Sequence, residues 1–205
     1  MSTRQAALLH YAHSYAARGW HVFVLSASKS PLKNCAACDA DGHCDTPEAM
    51  QDCGCLTCHG FYAATTDPDR LAEMLSLHRR GMLAVRTGAV SGLAVVDVDF
   101  KTFDGLMPAV DDPAYVTLSG LDRDRLLPGT LMQSTASGGL HFLYAHPGGY
   151  LLSGAGKYRP AVDSKADGGY IVVAPSVSCS GPPPRCPLEA ERDGGDRPRR
   201  RRRAT

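Results

Sequence analysis

The stretch "LAVVDVDF", Leu93 to Phe100, sets two aspartates two residues apart inside an otherwise apolar run. Such a run predicts a strand, and a strand sends alternate side chains to opposite faces, so Asp97 and Asp99 share a face. Val96 and Val98 are expected on the other face, in a core. Two carboxylates side by side repel each other unless a cation or a proton lies between them. The pair therefore asks for a metal and for further ligands elsewhere in the chain. Taken alone, a D-x-D reads better as a plain strand end, with one aspartate capping and the other facing solvent.

Working outward, further strands are predicted at "HVFVL" (21–25), "MLAVRTG" (82–88), "LHFLY" (140–144) and "YIVVAP" (170–175). Residues 3–18 fit an amphipathic helix with Leu8, Tyr11, Ala12 and Tyr15 on one stripe and Gly19 to end it. His10 and His13 read as solvated or packed side chains on that helix. A second helix begins at Asp67-Pro68, an N-cap followed by proline at the first helical position, with Leu71, Met74, Leu75 and His78 on one stripe. Segment 104–130 predicts at most one short helix near Leu121 to Leu127, and 145–162 reads as a Gly-rich loop. No internal repeat is visible.

The chain has 205 residues, 43% of them hydrophobic, with a net charge of +1. That is an ordinary globular composition. No run approaches the roughly 18–20 apolar residues of a membrane span, and the N-terminus lacks the apolar core of a signal peptide, so no membrane partner and a cytoplasmic location are expected. Residues 181–205 carry eight arginines against four acids, which makes this Pro/Arg-rich segment +4 and the rest of the chain −3. The segment is expected to be a disordered tail. The acidic remainder counts against nucleic acid as a partner, although bound divalent cations would offset part of it.

Six of the eight cysteines fall between Cys35 and Cys58, in "CAACDADGHCDTPEAMQDCGCLTCHG". The C-x-x-C pairs Cys35/Cys38 and Cys55/Cys58 have the knuckle spacing of a tetrahedral zinc site. Clustering of this kind in a reducing compartment favours metal over disulfides. Cys44, Cys53, His43 and His59 are surplus, which leaves other ligand sets or a second zinc open. Segment 33–60 is expected to be a loop ordered by metal.

A third carboxylate to join Asp97 and Asp99 is offered by "AVDSKADGGYIVVAPS". Asp163 follows apolar Ala161 and Val162, whereas Asp167, beside two glycines, reads as a turn residue. Three aspartates around two divalent cations suit phosphoryl transfer, with one cation activating the attacking oxygen and the other stabilising the leaving group. In "STASGGLHFLY" (134–144), Gly138 and Gly139 allow backbone N–H groups to approach a phosphate, and Ser137 adds a hydroxyl donor. His141, alternating with Leu140 and Phe142, could donate to a triphosphate oxygen. A β-turn followed by a satisfied core histidine fits the same segment equally well.

Taken together, "VVDVDF", "TASGGLHFLY" and "VDSKADGGYIVVAPS", in that order, resemble the bifunctional DNA primase–polymerase family of the archaeo-eukaryotic primase superfamily. "GWHVFVL", "ATTDPDRL" and "AVRTGAVSGLAVVDVD" extend the resemblance to residues 5–178. The fold it implies is α+β: a modified RRM-like catalytic β-sheet flanked by helices, with an N-terminal α/β unit carrying the Cys-rich zinc loop. The implied domains are a catalytic domain over 1–180, with 33–60 as a zinc-binding insertion, and the tail 181–205. The implied function is a template-directed nucleotidyltransferase that makes or extends primers by a two-metal mechanism. Its Mg²⁺ or Mn²⁺ ligands would be Asp97, Asp99 and Asp163. Ser137 and His141, with Gly138 and Gly139, would take the triphosphate. The resemblance adds Lys165, Arg86, Thr87 and Gly88 as nucleotide contacts. Single-stranded DNA template and NTP or dNTP are the implied partners, with a helicase on a separate chain as an option.

Two departures from that pattern stand out. Past the "APS" segment, "SVSCSG" runs straight into proline and arginine, where family members continue with packed structure. A truncated chain or a changed reading frame near Cys179 would both produce this. The second departure is the cysteine segment itself, which the minimal family core does not need. The competing reading is therefore a truncated, catalytically weak, zinc-containing nucleic-acid-binding module.

Overall fold

A computed structural model describes residues 2–40, 44–101, 108–135 and 137–176, so His43, Cys179, Cys186 and the tail lie outside the described residues. Helix α1 (Thr3–Ala16) starts at a capping box: Ser2 Oγ accepts from Gln5 N–H, and the Gln5 side chain accepts from Ser2 N–H. Both exchanges satisfy donors that a helix start leaves open. Of its apolar stripe, Leu8, Ala12 and Tyr15 are buried. Helix α3 (Pro68–Leu77) follows the five-residue α2 (Pro47–Gln51) and is capped by Asp67, which accepts from Asp69 and Arg70 N–H. It buries Leu71, Met74 and Leu75, while His78 serves as its C-cap rather than extending the stripe. Arg4 donates to the carbonyls of Arg79 and Gly81, tying α1 to the end of α3.

Strands β1 (Val22–Leu25), β2 (Met82–Arg86) and β8 (Tyr170–Val172) form a three-stranded antiparallel sheet in the order β1-β2-β8. A five-stranded sheet has the order β4-β5-β3-β7-β6, from β3 (Leu93–Val98), β4 (Leu131–Ser134), β5 (Leu140–Ala145), β6 (Gly154–Arg159) and β7 (Val162–Lys165). All its pairings are antiparallel. The molecule is thus α+β, with the decisive stretch "LAVVDV" as the central strand of the larger sheet.

Both faces of β3 are covered. Val96 and Val98 pack under helix α4 (Pro113–Arg123) with Ala114, Leu118 and Val162, as the alternation predicts. The aspartate face is also core at its start. Leu93 and Val95 pack with Leu143, Ile171 and the buried stripes of α1 and α3. Asp97 therefore stands where the principal core ends, rather than on a solvated face. Central strands covered on both sides read as continuous apolar runs, which is why Leu93–Val98 carries so few polar residues.

Two sequence expectations need correction. Helix α4 spans Pro113–Arg123, so it begins eight residues before the expected region near Leu121–Leu127 and ends inside it: Asp112 caps it through Ala114 and Tyr115 N–H, with Pro113 in the first turn. The Asp-Pro start is the same as in α3, but a Gly-containing, weakly striped body hid it. Residues 145–162, expected as a loop, contain β6, an edge strand whose pairing with β7 is interrupted by a register shift. Its Gly-rich composition gives no apolar alternation to read.

Among the described residues, no helix is long and apolar enough to cross a membrane.

Candidate active site and zinc centre

The register of the larger sheet decides the site. Asp97 on β3 lies directly opposite His141 on β5 and directly opposite Asp163 on β7, and His141 in turn faces Gln133 on β4. Gln133, His141, Asp97 and Asp163 thus form one polar row across four strands, at the distance where cross-strand side chains interact. Lys165, two residues beyond Asp163, shares its face. The Lys165 ammonium lies 3.1 Å from Asp163 Oδ2 and 3.4 Å from Asp97 Oδ2.

Asp97 Oδ1 lies 3.3 Å from His141 Nε2, yet it is buried without a hydrogen bond among the described residues. A buried carboxylate oxygen left in that state invites a ligand. Behind it, the Gln133 amide nitrogen donates to the Val172 carbonyl at 2.8 Å and stands 3.3 Å from His141 Nδ1. With Nδ1 accepting from that amide, His141 would carry its proton on Nε2, toward Asp97.

The cleft in front of this row has a volume of about 300 Å³ and is lined by Asp97, Asp99, His141 and Lys165 together with Thr135 and Ser137. Thr135 and Ser137 belong to the turn between β4 and β5, where their hydroxyls are 3.1 Å apart. Gly138 adopts φ +88°, and Gly138 N–H donates to the Thr135 carbonyl. A Cβ on Gly139 would come within 2.6 Å of the Val98 carbonyl oxygen and 3.0 Å of Asp99 Oδ1. Glycine there lets the turn lie against the end of β3, beside Asp99.

Charge in the cleft is finely divided. Burial alone would raise the Asp97 carboxyl, but His141 and then Lys165 outweigh it and hold Asp97 below the usual carboxylate range. Partial burial and the neighbouring Asp97 carboxylate push Asp99 above that range. Burial would lower the Lys165 ammonium, but Asp163 and Asp97 together raise it. Lys165 and Lys29 stand against the three carboxylates of Asp97, Asp99 and Asp163, so the cluster keeps a small anionic excess that a divalent cation would relieve.

The sequence-named residues do not all converge. Asp97, Asp99, Ser137, His141 and Lys165 share the cleft, and Gly139 lies close against Asp99 and Thr135, which line it. Asp163 joins Asp97 in the sheet but lines the neighbouring apolar hollow with Val162 and Ser164. Thr87 and Gly88 lie away from it: Thr87 Oγ1 donates to the Ala166 carbonyl, and Gly88 packs against Asp167. Asp167 is a turn residue, as expected, accepting from Ala89 and Leu151 N–H and pairing with His146. Arg86 lies over the rings of Phe61 and Tyr62 and bonds Gln51, joining β2 to the cysteine segment. Gln133, Thr135 and Lys29 line the cleft and were not singled out from sequence. Recognising β4 would have found Gln133, because the turn after it fixes the register that places it opposite His141.

The second centre is the cysteine segment, whose described residues contain α2 and lead into a 3₁₀ turn at Gly60–Ala63, with little other regular structure. The sulfurs of Cys35, Cys38, Cys55 and Cys58 lie within 4.8 Å of one another. Cys38–Cys55 is 3.6 Å and Cys35–Cys55 is 3.9 Å. A zinc ion with four thiolates at 2.3 Å has sulfur–sulfur edges of about 3.8 Å, so these residues fit the metal. Cys35 N–H donates to Cys58 Sγ. Hydrogen bonds from Cys38, through its backbone first, bring the Cys35 thiol down to about 7, whereas burial pushes Cys38 up. Arg70 donates to the Cys55 carbonyl and anchors the segment to α3.

Comparison with known families supplies the identity. A model of the Prim-Pol family, described as bifunctional DNA primase/polymerase, N-terminal, matches residues 12–192. The chain belongs to that family. No curated protein matches it. Prim-Pol membership makes this a primase/polymerase-type domain, whose substrates are nucleic acid and nucleotides. The match spans both the acidic cleft and the cysteine segment.

Proposed function

We propose that the chain is a template-directed nucleotidyltransferase that makes or extends primers, with the acidic cleft as its reaction centre. The observation that carries this reading is the polar row Gln133–His141–Asp97–Asp163, with a buried Asp97 oxygen lacking a hydrogen bond and Asp99 just beyond it. Asp97, Asp99 and Asp163 would hold Mg²⁺ or Mn²⁺, hard cations that prefer oxygen donors. When bound, two such ions activate the attacking hydroxyl and stabilise charge on the leaving group. His141 Nε2, 3.3 Å from Asp97 Oδ1, would turn its N–H from that carboxylate to a triphosphate oxygen when a nucleotide binds. Ser137 and the backbone of Gly138 and Gly139 offer further donors from the turn. Lys165 holds Asp97 and Asp163 in place and supplies a positive charge near the phosphates. Thr87 and Gly88 act as supports for the Ala166–Asp167 turn, and Arg86 as a link between β2 and the zinc segment. In this reading residues 1–180 form the catalytic domain, the larger sheet is its RRM-like core, and residues 33–60 are a zinc-binding insertion. The template is single-stranded DNA, and a helicase on a separate chain would supply it.

The ammonium of Lys165 between Asp97 and Asp163 favours one alternative: a cluster partly neutralised from within, in a chain that binds nucleic acid without catalysis. Primer synthesis by the full chain on a single-stranded template, with labelled nucleotides and Mg²⁺ or Mn²⁺, separates the two. Nucleotide incorporation is expected, and Asp97→Ala, Asp99→Ala and Asp163→Ala should each lower it by about a hundredfold or more with unchanged circular dichroism. Full activity in any two of these variants overturns the triad. His141→Ala should weaken triphosphate binding, and equal affinity in variant and parent would remove that role.

A further inference from the structure

Cys38 belongs to two groups of metal-ligating atoms at once. One is the set with Cys35, Cys55 and Cys58, and the other is Cys38 with Cys53 and His59, also mutually within 4.8 Å. Cys38 Sγ is 3.6 Å from Cys55 and 3.7 Å from Cys53, both close to the tetrahedral edge of about 3.8 Å. Cys44, which lies outside that mutual 4.8 Å set, is the remaining described thiol of the segment and the donor left to supply a fourth ligand. His59 Nε2 is buried without a hydrogen bond among the described residues. The His59 backbone N–H is fixed by Asn34 Oδ1 at 2.7 Å, so the ring is held at this place in the segment. Cys44 and His59 both adopt left-handed backbone conformations, at φ 54° and 63°. Side chains other than glycine take that conformation at a cost, and such positions gather where a ligand constrains the chain.

We propose that the cysteine segment binds a binuclear zinc cluster, with the Cys38 thiolate bridging one ion held by Cys35, Cys55 and Cys58 and a second held by Cys44, Cys53 and His59. Seven donors, one of them shared, complete two four-coordinate sites. Each thiol gives up its proton to solvent as it binds. The cluster explains why the segment carries more cysteines than one zinc requires, and why a buried imidazole nitrogen faces thiols rather than a hydrogen-bond partner. It stands independently of nucleotidyl transfer.

The test uses the full chain with Cys179→Ser and Cys186→Ser, purified under reducing conditions without chelator, so that the count concerns the segment alone. Metal analysis should find about two zinc ions per chain, falling to about one in Cys53→Ser and in His59→Ala. Exchange of zinc for ¹¹³Cd should give two resonances, split by coupling through the shared Cys38 sulfur, and this reading needs no variant to fold. About one zinc in the parent chain, or two that neither variant lowers, overturns the second site. Two unsplit ¹¹³Cd resonances overturn the bridge.

Discussion

The acidic cleft and the cysteine segment both gather donors that suit cations, and they gather them in opposite ways. In the cleft, positions are set by strand register: His141, Asp97 and Asp163 are brought into one row by backbone hydrogen bonds that no metal helps to make. Among the described residues of the cysteine segment, the one α-helix is five residues long, and the thiols lie where regular structure is scarce. A preformed oxygen cage can exchange its ions during turnover, whereas a thiolate cage without a scaffold depends on its metal for shape. The difference separates a site suited to chemistry from a site suited to architecture. It also follows donor softness, since carboxylate oxygens suit hard cations and thiolates suit zinc.

The largest effect that could break this contrast is removal of zinc. Chelation of the full chain should speed proteolytic cleavage within 33–60 at least about tenfold, while the sheets retain their circular dichroism. Cleavage at the same rate with and without zinc would mean that the segment holds its own shape.

A smaller effect tests the other half. Gly139→Ala places a methyl group 2.6 Å from the Val98 carbonyl oxygen, whereas Gly129→Ala meets nothing within 4 Å. Overpacking of that kind costs about 1–3 kcal/mol, so Gly139→Ala should lower stability and Gly129→Ala should hardly do so. Nucleotide incorporation by the folded Gly139→Ala protein should also fall, because the turn must withdraw from Asp99. Equal activity in the two variants would show that the close approach of turn and strand does not matter to the cleft.

How much of this was legible beforehand follows from the same contrast. The D-x-D of β3, the turn glycines and the C-x-x-C pairs are local patterns, and the structure places Asp97, Asp99, Ser137 and His141 around one cleft and the four knuckle sulfurs around one point. Local caps were equally readable, as Asp67 shows. What escaped depends on register between distant strands. Gln133 sits in a strand too short to show alternation, and β6 in one too rich in glycine. That the aspartate face begins as core follows from how α1, α3 and the smaller sheet pack on it, and no stretch of β3 encodes that. Arg86 shows the converse, a residue placed by family likeness that packs against Phe61 and Tyr62 instead of entering the cleft.

The most direct test of the central claim, that hard cations bind the aspartate row separately from zinc, is a Mn²⁺ titration followed by electron paramagnetic resonance. The zinc-loaded parent chain and Asp97→Asn should be compared at equal zinc content. The substitution keeps the side chain's shape while removing the charge that the row offers a cation. Mn²⁺ affinity should fall by about tenfold or more in Asp97→Asn with zinc unchanged. Equal Mn²⁺ affinity in the two proteins, or loss of zinc along with manganese, would contradict it.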